Sequence, residues 1–372
     1  MENRIKSVFG DYATALQVLV DENLDRFKEP FFPKYFTMGT PQNGLSYATA
    51  IGRSRIEAAA SVVAHGSEAP MRSRAGLEKL SGEVAAIKVK RKMDESEYRN
   101  WMVLQGMPVS DETKKQQIIQ LIWDDVKHVI DSVRSRVDIM VKQALSTGNV
   151  NINLASNPDG INLGDINLLR LDNNSGVPGS RNGTTAAFEN TGTATYWSDN
   201  QGTSGGEANP LTDIQYVVEE NPEFDFEKVL MTPRRFRAVA SRRRVTEMLG
   251  ESPTLEMINN WLTDRNLPYI ELVTGRHTLE TNGVVTNFAP WNDNHVAFIP
   301  AGTLGIVHNA LAIEEIRPVE GVDYAISDRI LVSKFAQTEP FGEYTRGEIA
   351  AFPGFEAADN TLIVNVMADA WA

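Results

Sequence analysis

The sequence contains no cysteine. It can therefore form no disulfide, and it offers neither a thiol nucleophile nor a thiolate ligand for zinc or an iron–sulfur cluster. Histidine is also scarce, since the 372 residues include only five and no two of them lie within ten positions of each other. A compact histidine-based metal motif is therefore missing, and we expect neither a metal nor another cofactor.

Long apolar runs and positive charge are limited as well. No stretch approaches the roughly 18 apolar residues of a membrane-spanning helix, because the best candidate, 297–313, is interrupted by proline and polar residues. The N-terminal residues lack the apolar core of a secretory signal, so we expect no export and no membrane partner.

Lys and Arg number 36 against 49 Asp and Glu, which gives a net charge of −13. This charge argues against a generally basic nucleic-acid-binding protein, although a local basic patch stays open.

Sequence signatures of catalysis are lacking too. No P-loop, G-x-G-x-x-G fingerprint or H-E-x-x-H motif is present. Residues 202–206 match the G-x-S-x-G pattern of serine hydrolases, with Ser204 as the nucleophile. That pattern requires a strand before it and a helix after it, whereas here it lies in a Ser- and Gly-rich stretch. We expect no enzyme, and a fully functional Ser204→Ala variant would remove the hydrolase alternative.

One stretch shows strong helical periodicity. Apolar residues recur at spacings of three and four across 118–140, which predicts a helix over 111–145 that stops at Gly148. At ~1.5 Å per residue this helix is about 50 Å long, more than most compact domains span. Its other face carries charged residues such as Asp125 and Arg134, so we expect that face to meet water or a partner.

The N-terminal hundred residues contain two further features. Residues 1–49 predict an arm, in which a short helical stripe precedes the aromatic residues Phe31, Phe32 and Phe36. Residues 50–100 predict an extended hairpin, with the runs SVVA and VAAIKV as its strands. Between residues 61 and 92 there are seven basic and three acidic residues. This surplus fits either a solvated hairpin or a contact with an acidic surface.

The rest of the chain combines a polar loop with a basic helix and a β-rich region. Gly, Asn, Ser and Thr make up 23 of the 39 residues of 172–210, which predicts a long surface loop. A strand and a helix over 234–249 follow, and this helix carries six arginines. A nucleic-acid site and a subunit interface both explain them, because 311–359 has ten acidic and four basic residues. The last third is predicted to be mainly β, with a helix over 255–266 and a turn at Asn282–Gly283.

Six stretches, taken in order, carry a family resemblance. They are TALQVLVDENLDRFKEPFFPKYF, SVVAHGSEAPMRSRAGLEKLSGEVAAIKVKRK, DETKKQQIIQLIWDDVKHVIDSVRSRVDIMVKQALSTG, TATYWSDNQGTSGGEANPLTDIQYVVEE and VTNFAPWNDNHVAFIPAGTLGIVHNALAIEEI, followed by the closing stretch from VSKFAQTEPF to TLIVNV. In this order and at this spacing they resemble the major capsid protein family of tailed bacteriophages, in its lambda-type branch, major capsid protein E.

The resemblance implies an α+β fold of the Hong Kong 97 type. Such a fold has an N-terminal arm, an extended hairpin called the E-loop, a peripheral domain with a long spine helix, and a β-rich axial domain. In this chain it implies an arm at 1–49, an E-loop at 50–100, a peripheral domain at 101–250 with a loop insertion at 172–210, an axial domain at 251–340, and closing strands of the peripheral domain at 341–372.

The implied function is structural. Subunits of this family form pentamers and hexamers of an icosahedral head that encloses double-stranded DNA, which places the chain in the virion after assembly in the host bacterial cytoplasm. The implied partners are further copies of the chain, portal and scaffolding proteins, and packaged DNA bound without sequence specificity, while a decoration protein stays open. The alternative is a soluble nucleic-acid-binding protein that uses Arg234–Arg244. On the capsid hypothesis the candidate interface residues are Phe31, Phe32, Phe36, Arg72, Arg74, Lys79, Lys88, Lys90, Arg91, Arg234 and Arg235.

Overall fold

The computed structural model describes residues 16–22, 24–52, 77–106, 111–168, 188–190, 193–195, 197, 208–222, 224–275, 277–281, 283–338 and 341–366. The α-helices of these residues are α1 (Leu16–Glu22), α2 (Glu95–Gly106), α3 (Asp111–Thr147), α4 (Pro210–Glu220), α5 (Pro233–Ala240), α6 (Arg243–Leu249), α7 (Leu255–Thr263) and α8 (Ile313–Ile316). The strands are β1 (Phe36–Met38), β2 (Ser46–Gly52), β3 (Leu77–Glu83), β4 (Ala85–Met93), β5 (Asn149–Ile152), β6 (Gly164–Asn167), β7 (Phe188–Asn190), β8 (Thr193–Thr195), β9 (Phe226–Met231), β10 (Tyr269–Leu272), β11 (His277–Thr281), β12 (Val284–Phe288), β13 (His295–Pro300), β14 (Gly305–Ala310), β15 (Asp323–Ser327), β16 (Ile330–Thr338), β17 (Phe341–Gly354) and β18 (Leu362–Asn365).

The long helix α3 packs against a six-stranded sheet and forms the first hydrophobic core with it. The strand order is β1-β14-β17-β16-β15, and β4 also pairs with β17. Within the apolar stripe, the side chains from Val126 to Met140 are buried as the periodicity predicts. The helix runs two residues beyond the predicted end, to Thr147, and stops where Gly148 adopts a φ of 73°.

Two charged residues on the other face of α3 are covered by their own chain, whereas the sequence predicts that this face meets water or a partner. Asp125 and Arg134 are both buried. Asp125 lies 3.2 Å from Nε of Arg91 on β4, and Arg134 forms an ion pair with Asp328 in the turn after β15. A strand and a turn of the same chain cover these two side chains, so their charges pair internally, whereas Asp124 on the same face is exposed.

The strands of the predicted hairpin are assigned differently by the structure. The return strand is β3, which pairs with β2 in antiparallel register from Ser46↔Glu83 to Gly52↔Leu77. The VAAIKV run instead enters β4, which pairs with β17 in the central sheet. Its alternation fits a sheet with one covered face, because Ile87 and Val89 are partly buried while the lysine between them is exposed. The SVVA run lies outside the described residues.

A second hydrophobic core lies around a four-stranded sheet of order β10-β9-β13-β18. Residues of α4, α5, α6 and α7 pack into the same core. The two cores do not divide at residue 250, where the resemblance puts the boundary between peripheral and axial domains. Strand β9 precedes that boundary, yet Val229 and Met231 are fully buried beside strands that follow it. Because the apolar strand β9 lies between β10 and β13, it belongs to the second core although it precedes residue 250.

Part of the predicted surface loop also belongs to this second core. Residues 169–187 lie outside the described residues, and β7 and β8 form a short antiparallel pair. Trp197, in contrast, is 1% exposed and packs in the core. The composition of 172–210 predicts an exposed loop on average, but it does not reveal that one large aromatic side chain anchors the segment.

The β-rich character of the last third is confirmed. The predicted turn is present, because β11 and β12 form a hairpin with Gly283 at a φ of 79°. The predicted helix over 255–266 is shorter and ends at Thr263. Strands β5 and β6 also pair in antiparallel register.

Candidate assembly surface

The aromatic arm is held on α3 by a buried carboxylate. Oδ1 of Asp138 accepts hydrogen bonds from the backbone N–H groups of Phe31, at 2.9 Å, and Phe32, at 2.8 Å. Burial raises the pKa of Asp138, and the two backbone hydrogen bonds oppose that rise. Hydrogen bonds from two consecutive amides fix the direction in which the chain crosses the helix.

Two of the three arm aromatics proposed as subunit contacts are core residues of their own chain. Phe32 and Phe36 are buried, and the Phe36 ring packs 5.9 Å from that of Phe355. Their side chains are already covered within the chain and offer little surface to another subunit, so their contact with one stays a prediction. Only Phe31 is partly exposed, and its ring packs against Tyr35 and under the ammonium group of Lys142.

Lys142 belongs to a buried polar cluster that joins α3 to the start of the β11–β12 hairpin. Its Nζ lies 2.9 Å from Nε2 of His277 and donates to the carbonyl of Thr274 at 2.9 Å. On the other side of the imidazole ring, Nδ1 lies 2.8 Å from Oγ of Ser135. Burial and, to a smaller extent, the neighbouring cation Lys142 together lower the pKa of His277 to about 3. Burial also lowers the pKa of Lys142 to about 8.

The geometry of this cluster does not activate the serine. An ammonium group has only donors, so Nε2 of His277 accepts a hydrogen bond from Lys142. The neutral ring then carries its own proton on Nδ1 and donates it to Ser135. A general base needs its free nitrogen toward the nucleophile, and here that nitrogen faces Lys142. The cluster therefore acts as a structural clamp between the helix and the hairpin.

The basic residues predicted to contact a neighbouring subunit have partners inside the chain wherever they are described. Nζ of Lys88 lies 2.6 Å from a carboxylate oxygen of Glu348, and Nζ of Lys90 lies 4.5 Å above the Tyr344 ring. Arg91 pairs with Asp125, as described above. All three lie on β4, beside β17 and α3, because this strand is part of the central sheet. These internal partners reduce the positive charge available to a neighbouring subunit, and the interchain role of the three residues stays a prediction.

The remaining hairpin residues cannot be placed as contacts. Arg72 and Arg74 lie outside the described residues, and of Lys79 only the backbone, in β3, is described. The root of the β2–β3 hairpin is well anchored, because the buried Tyr47 ring stacks on His308 at 5.0 Å and on Phe352 at 5.4 Å.

The arginine-rich helix predicted over 234–249 consists of two shorter helices, α5 and α6, separated by Ser241 and Arg242. Its first two arginines differ in role. Arg234 is exposed and forms an ion pair with Asp293 at 3.2 Å. Arg235 is buried and donates to the carbonyl of Asp293 at 2.7 Å and to Oδ1 of Asn294 at 2.9 Å. Arg235 therefore fixes the turn before β13, and its place at an interface stays a prediction.

A buried carboxylate that the sequence reading missed lies in the second core. Asp213 accepts the indole N–H of Trp197 at 2.8 Å, and burial raises the pKa of Asp213 to about 7. The only sequence signal for it is an acidic residue in the first turn of α4, which usually indicates a solvated helix start.

The described residues contain no group of three or more His, Asp or Glu side chains that could hold a metal ion. None of the helices described here is long and apolar enough to cross a membrane.

No protein-family model matches the sequence, and no curated protein matches it either. Among solved structures, the chain is similar to a prophage protein of E. coli CFT073 that is described as a candidate capsid protein. The two are 12% identical, the match covers 94% of this chain and 99% of that one, and the TM-score is 0.54. A phage-related protein of Bordetella bronchiseptica RB50 is 8% identical over 94% of this chain and 96% of that one, with a TM-score of 0.50. These similarities confirm the predicted α+β capsid-type fold, while the lambda-type branch stays a prediction.

Proposed function

We propose that this chain is the major capsid subunit of a tailed bacteriophage, and that its copies form the pentamers and hexamers of an icosahedral shell around double-stranded DNA. The observation that carries this proposal is the fold shared with the prophage protein of E. coli CFT073 over 94% of this chain and 99% of that one. The proposed role is structural and not enzymatic, in keeping with the unactivated Ser135–His277 contact.

The β2–β3 ribbon supports self-assembly. Among the described residues these two strands pair with each other over seven positions and with no third strand. A two-stranded ribbon alone is marginally stable in water, so a surface on a second copy is a natural support for it. We propose that Arg72 and Arg74, in the segment between the strands, contact acidic residues of that copy.

The proposed role implies further partners and a location. Portal and scaffolding proteins and the packaged DNA are the partners of a capsid subunit, and the virion is its final location after assembly in the host cytoplasm. The net charge of −13 favours weak DNA contact, since nucleic-acid affinity depends mainly on cations that neutralise phosphates.

The alternative, a soluble nucleic-acid-binding protein that uses the arginines of 234–244, receives less support. Arg235 is engaged in the turn before β13, Arg234 pairs with Asp293, and Arg243 lies 2.9 Å from the Glu247 carboxylate. Each internal pair reduces the charge available for phosphates.

Sedimentation velocity of the purified protein, together with a DNA-binding titration at several salt concentrations, separates the two functions. The capsid proposal predicts species the size of capsomers or shells and weak DNA binding. A monomer at every concentration, with tight DNA binding that weakens steeply with salt, would overturn it in favour of the alternative.

A further inference from the structure

An open groove runs beside α3 on the surface of the first core. Its walls are β4, the loop between β5 and β6, and the β11–β12 hairpin, and its volume is about 1020 Å³. Met140 and Ile139 of α3 lie at the groove together with Ile152 of β5. An apolar cleft of this size is large enough for several side chains of another polypeptide.

The rim of this groove exposes large apolar side chains. Ile161 and Leu163, which precede β6, and Val285 of β12 all line the groove and are 66%, 48% and 63% exposed. Leu154 and Val284, close to them in sequence, are exposed as well. Apolar residues that cluster around a cleft, and are not scattered singly, mark interaction surfaces.

Arg136 adds an uncompensated positive charge to the groove. Its Nη1 donates to the carbonyl of Ser156 at 2.7 Å, and no ion pair of its side chain occurs among the described residues. Asp159 and Glu280 also line the groove, but neither forms an ion pair with it. Desolvation lowers the pKa of Arg136, and no nearby anion offsets this effect. A guanidinium group removed from water without a carboxylate partner is unfavourable.

The other carboxylates on the same stretch of α3 are already engaged. Asp138 accepts the backbone N–H groups of the arm, and Asp131 accepts from Nζ of Lys127 and from the backbone N–H of Lys28. Arg136 therefore lacks a carboxylate partner that α3 could supply, and an incoming carboxylate would find a partly desolvated cation that is held only by the Ser156 carbonyl.

We propose that this groove receives an apolar segment of a second copy of the chain, and that Arg136 binds a carboxylate of that segment. The inference rests on the proposed self-assembly and names the chemistry of one contact in it. Charge complementarity supports a second copy as the occupant, because the chain carries 49 acidic against 36 basic residues. Its surface also offers exposed apolar side chains outside the groove, such as Ile313 and Ile316 of α8.

The absence of cysteine allows a direct test of the occupant. In Val285→Cys the only thiol lies on the rim of the groove. This thiol is labelled with a benzophenone maleimide, and ¹⁴N and ¹⁵N preparations of the labelled protein are mixed before assembly. After irradiation of assembled shells, we expect cross-linked peptides that combine both isotopes, with an apolar, acidic segment as the captured peptide. Cross-links only within one copy, or only to another protein, would overturn the proposal.

Substitution of Arg136 tests the charge. We expect Arg136→Gln to raise the protein concentration needed for assembly by about tenfold, or about 1.4 kcal/mol, and Arg136→Lys to restore most of the loss. The thermal midpoint of unassembled subunits should be alike in both variants. Arg265→Gln, which removes an exposed arginine that stacks on Trp261 outside the groove, is the matched control.

Two results would overturn the role of Arg136. One is normal assembly of Arg136→Gln, and the other is an equal loss in Arg265→Gln, which would show that net charge alone matters. Failure of the wild-type chain to assemble would instead contradict the proposed function, so the two failures are distinguishable in one experiment.

Discussion

The indole N–H of Trp197 donates to the carboxylate of Asp213 across 2.8 Å, and the two side chains are 1% and 4% exposed. This contact anchors the end of a long polar segment on α4 and in the second core. It also places an ionisable group where water does not solvate it. Burial raises the pKa of Asp213 from 3.8 to about 7, against the opposing effect of the indole hydrogen bond.

The first prediction concerns the pH dependence that Asp213 produces. Its folded-state pKa is higher than its unfolded value, so the folded chain holds the proton more tightly. The resulting stability is fully present below pH 3.8 and is lost as the pH rises through about 7. We expect the free energy of unfolding of the wild type to fall more steeply between pH 5.5 and 8 than that of Asp213→Asn, measured by urea denaturation. Parallel pH profiles would contradict the assignment of this carboxyl.

The second prediction concerns His277, whose pKa shifts in the opposite direction. Burial and Lys142 lower its pKa from 6.5 to about 3, so the unfolded chain binds the proton more readily. Stability from the neutral ring is present above pH 6.5 and is lost as the pH falls from there toward 3. We expect the wild type to lose more stability between pH 7.5 and 5.5 than His277→Gln does.

The exposed His128 supplies the matched control for this comparison. His128→Gln should keep the pH dependence of the wild type, because its imidazole is accessible to water in the folded chain. If His128→Gln and His277→Gln change the profile equally, the buried clamp is not the source of the acid sensitivity.

The third prediction concerns the close approach of β14 to β17 in the central sheet. A Cβ atom at Gly305 would lie 2.1 Å from the carbonyl oxygen of Gly354 and 2.7 Å from the Phe36 ring. Since the carbonyl is backbone, it cannot move aside without disrupting the strand pair. We expect Gly305→Ala to cost about 1–3 kcal/mol or more, as overpacking does. Gly44→Ala, where the new Cβ meets nothing within 4 Å, should change the unfolding free energy by less than about 0.5 kcal/mol.

The fourth prediction concerns the segment between β2 and β3. Simultaneous Arg72→Glu and Arg74→Glu substitution should block shell formation and leave the subunit folded, as judged by circular dichroism and thermal unfolding. Each exposed ion pair contributes only about 0–1 kcal/mol, so the effect depends on repetition over many copies, and salt should weaken wild-type assembly in the same direction. Normal shells from the double variant would show that these arginines do not dock the hairpin.

The sequence predicts those parts of the fold that local periodicity determines. The apolar spacing across 118–140 gives α3 to within two residues of its end, and the Asn282–Gly283 pair gives the β11–β12 turn. Periodicity does not reveal the partner with which each strand pairs in a sheet. Nothing local distinguishes a hairpin strand from β4, whose partner β17 lies some 250 residues away.

The candidate contacts show the same limit at the level of side chains. Arg234 and Arg235 are neighbours in an arginine-rich sequence, yet one is exposed and the other is buried against Asn294. Phe32 and Phe36 look like free aromatics in an arm, but they pack into the core beneath it. Composition estimates average exposure, whereas burial of a particular side chain depends on contacts with distant residues.

Electron microscopy of the protein, expressed alone and then together with the neighbouring phage genes, tests the central claim most directly. Our account predicts closed shells, or isolated hexamers and pentamers, after size-exclusion chromatography. A stable monomer under every condition, with no shells in either preparation, would contradict it.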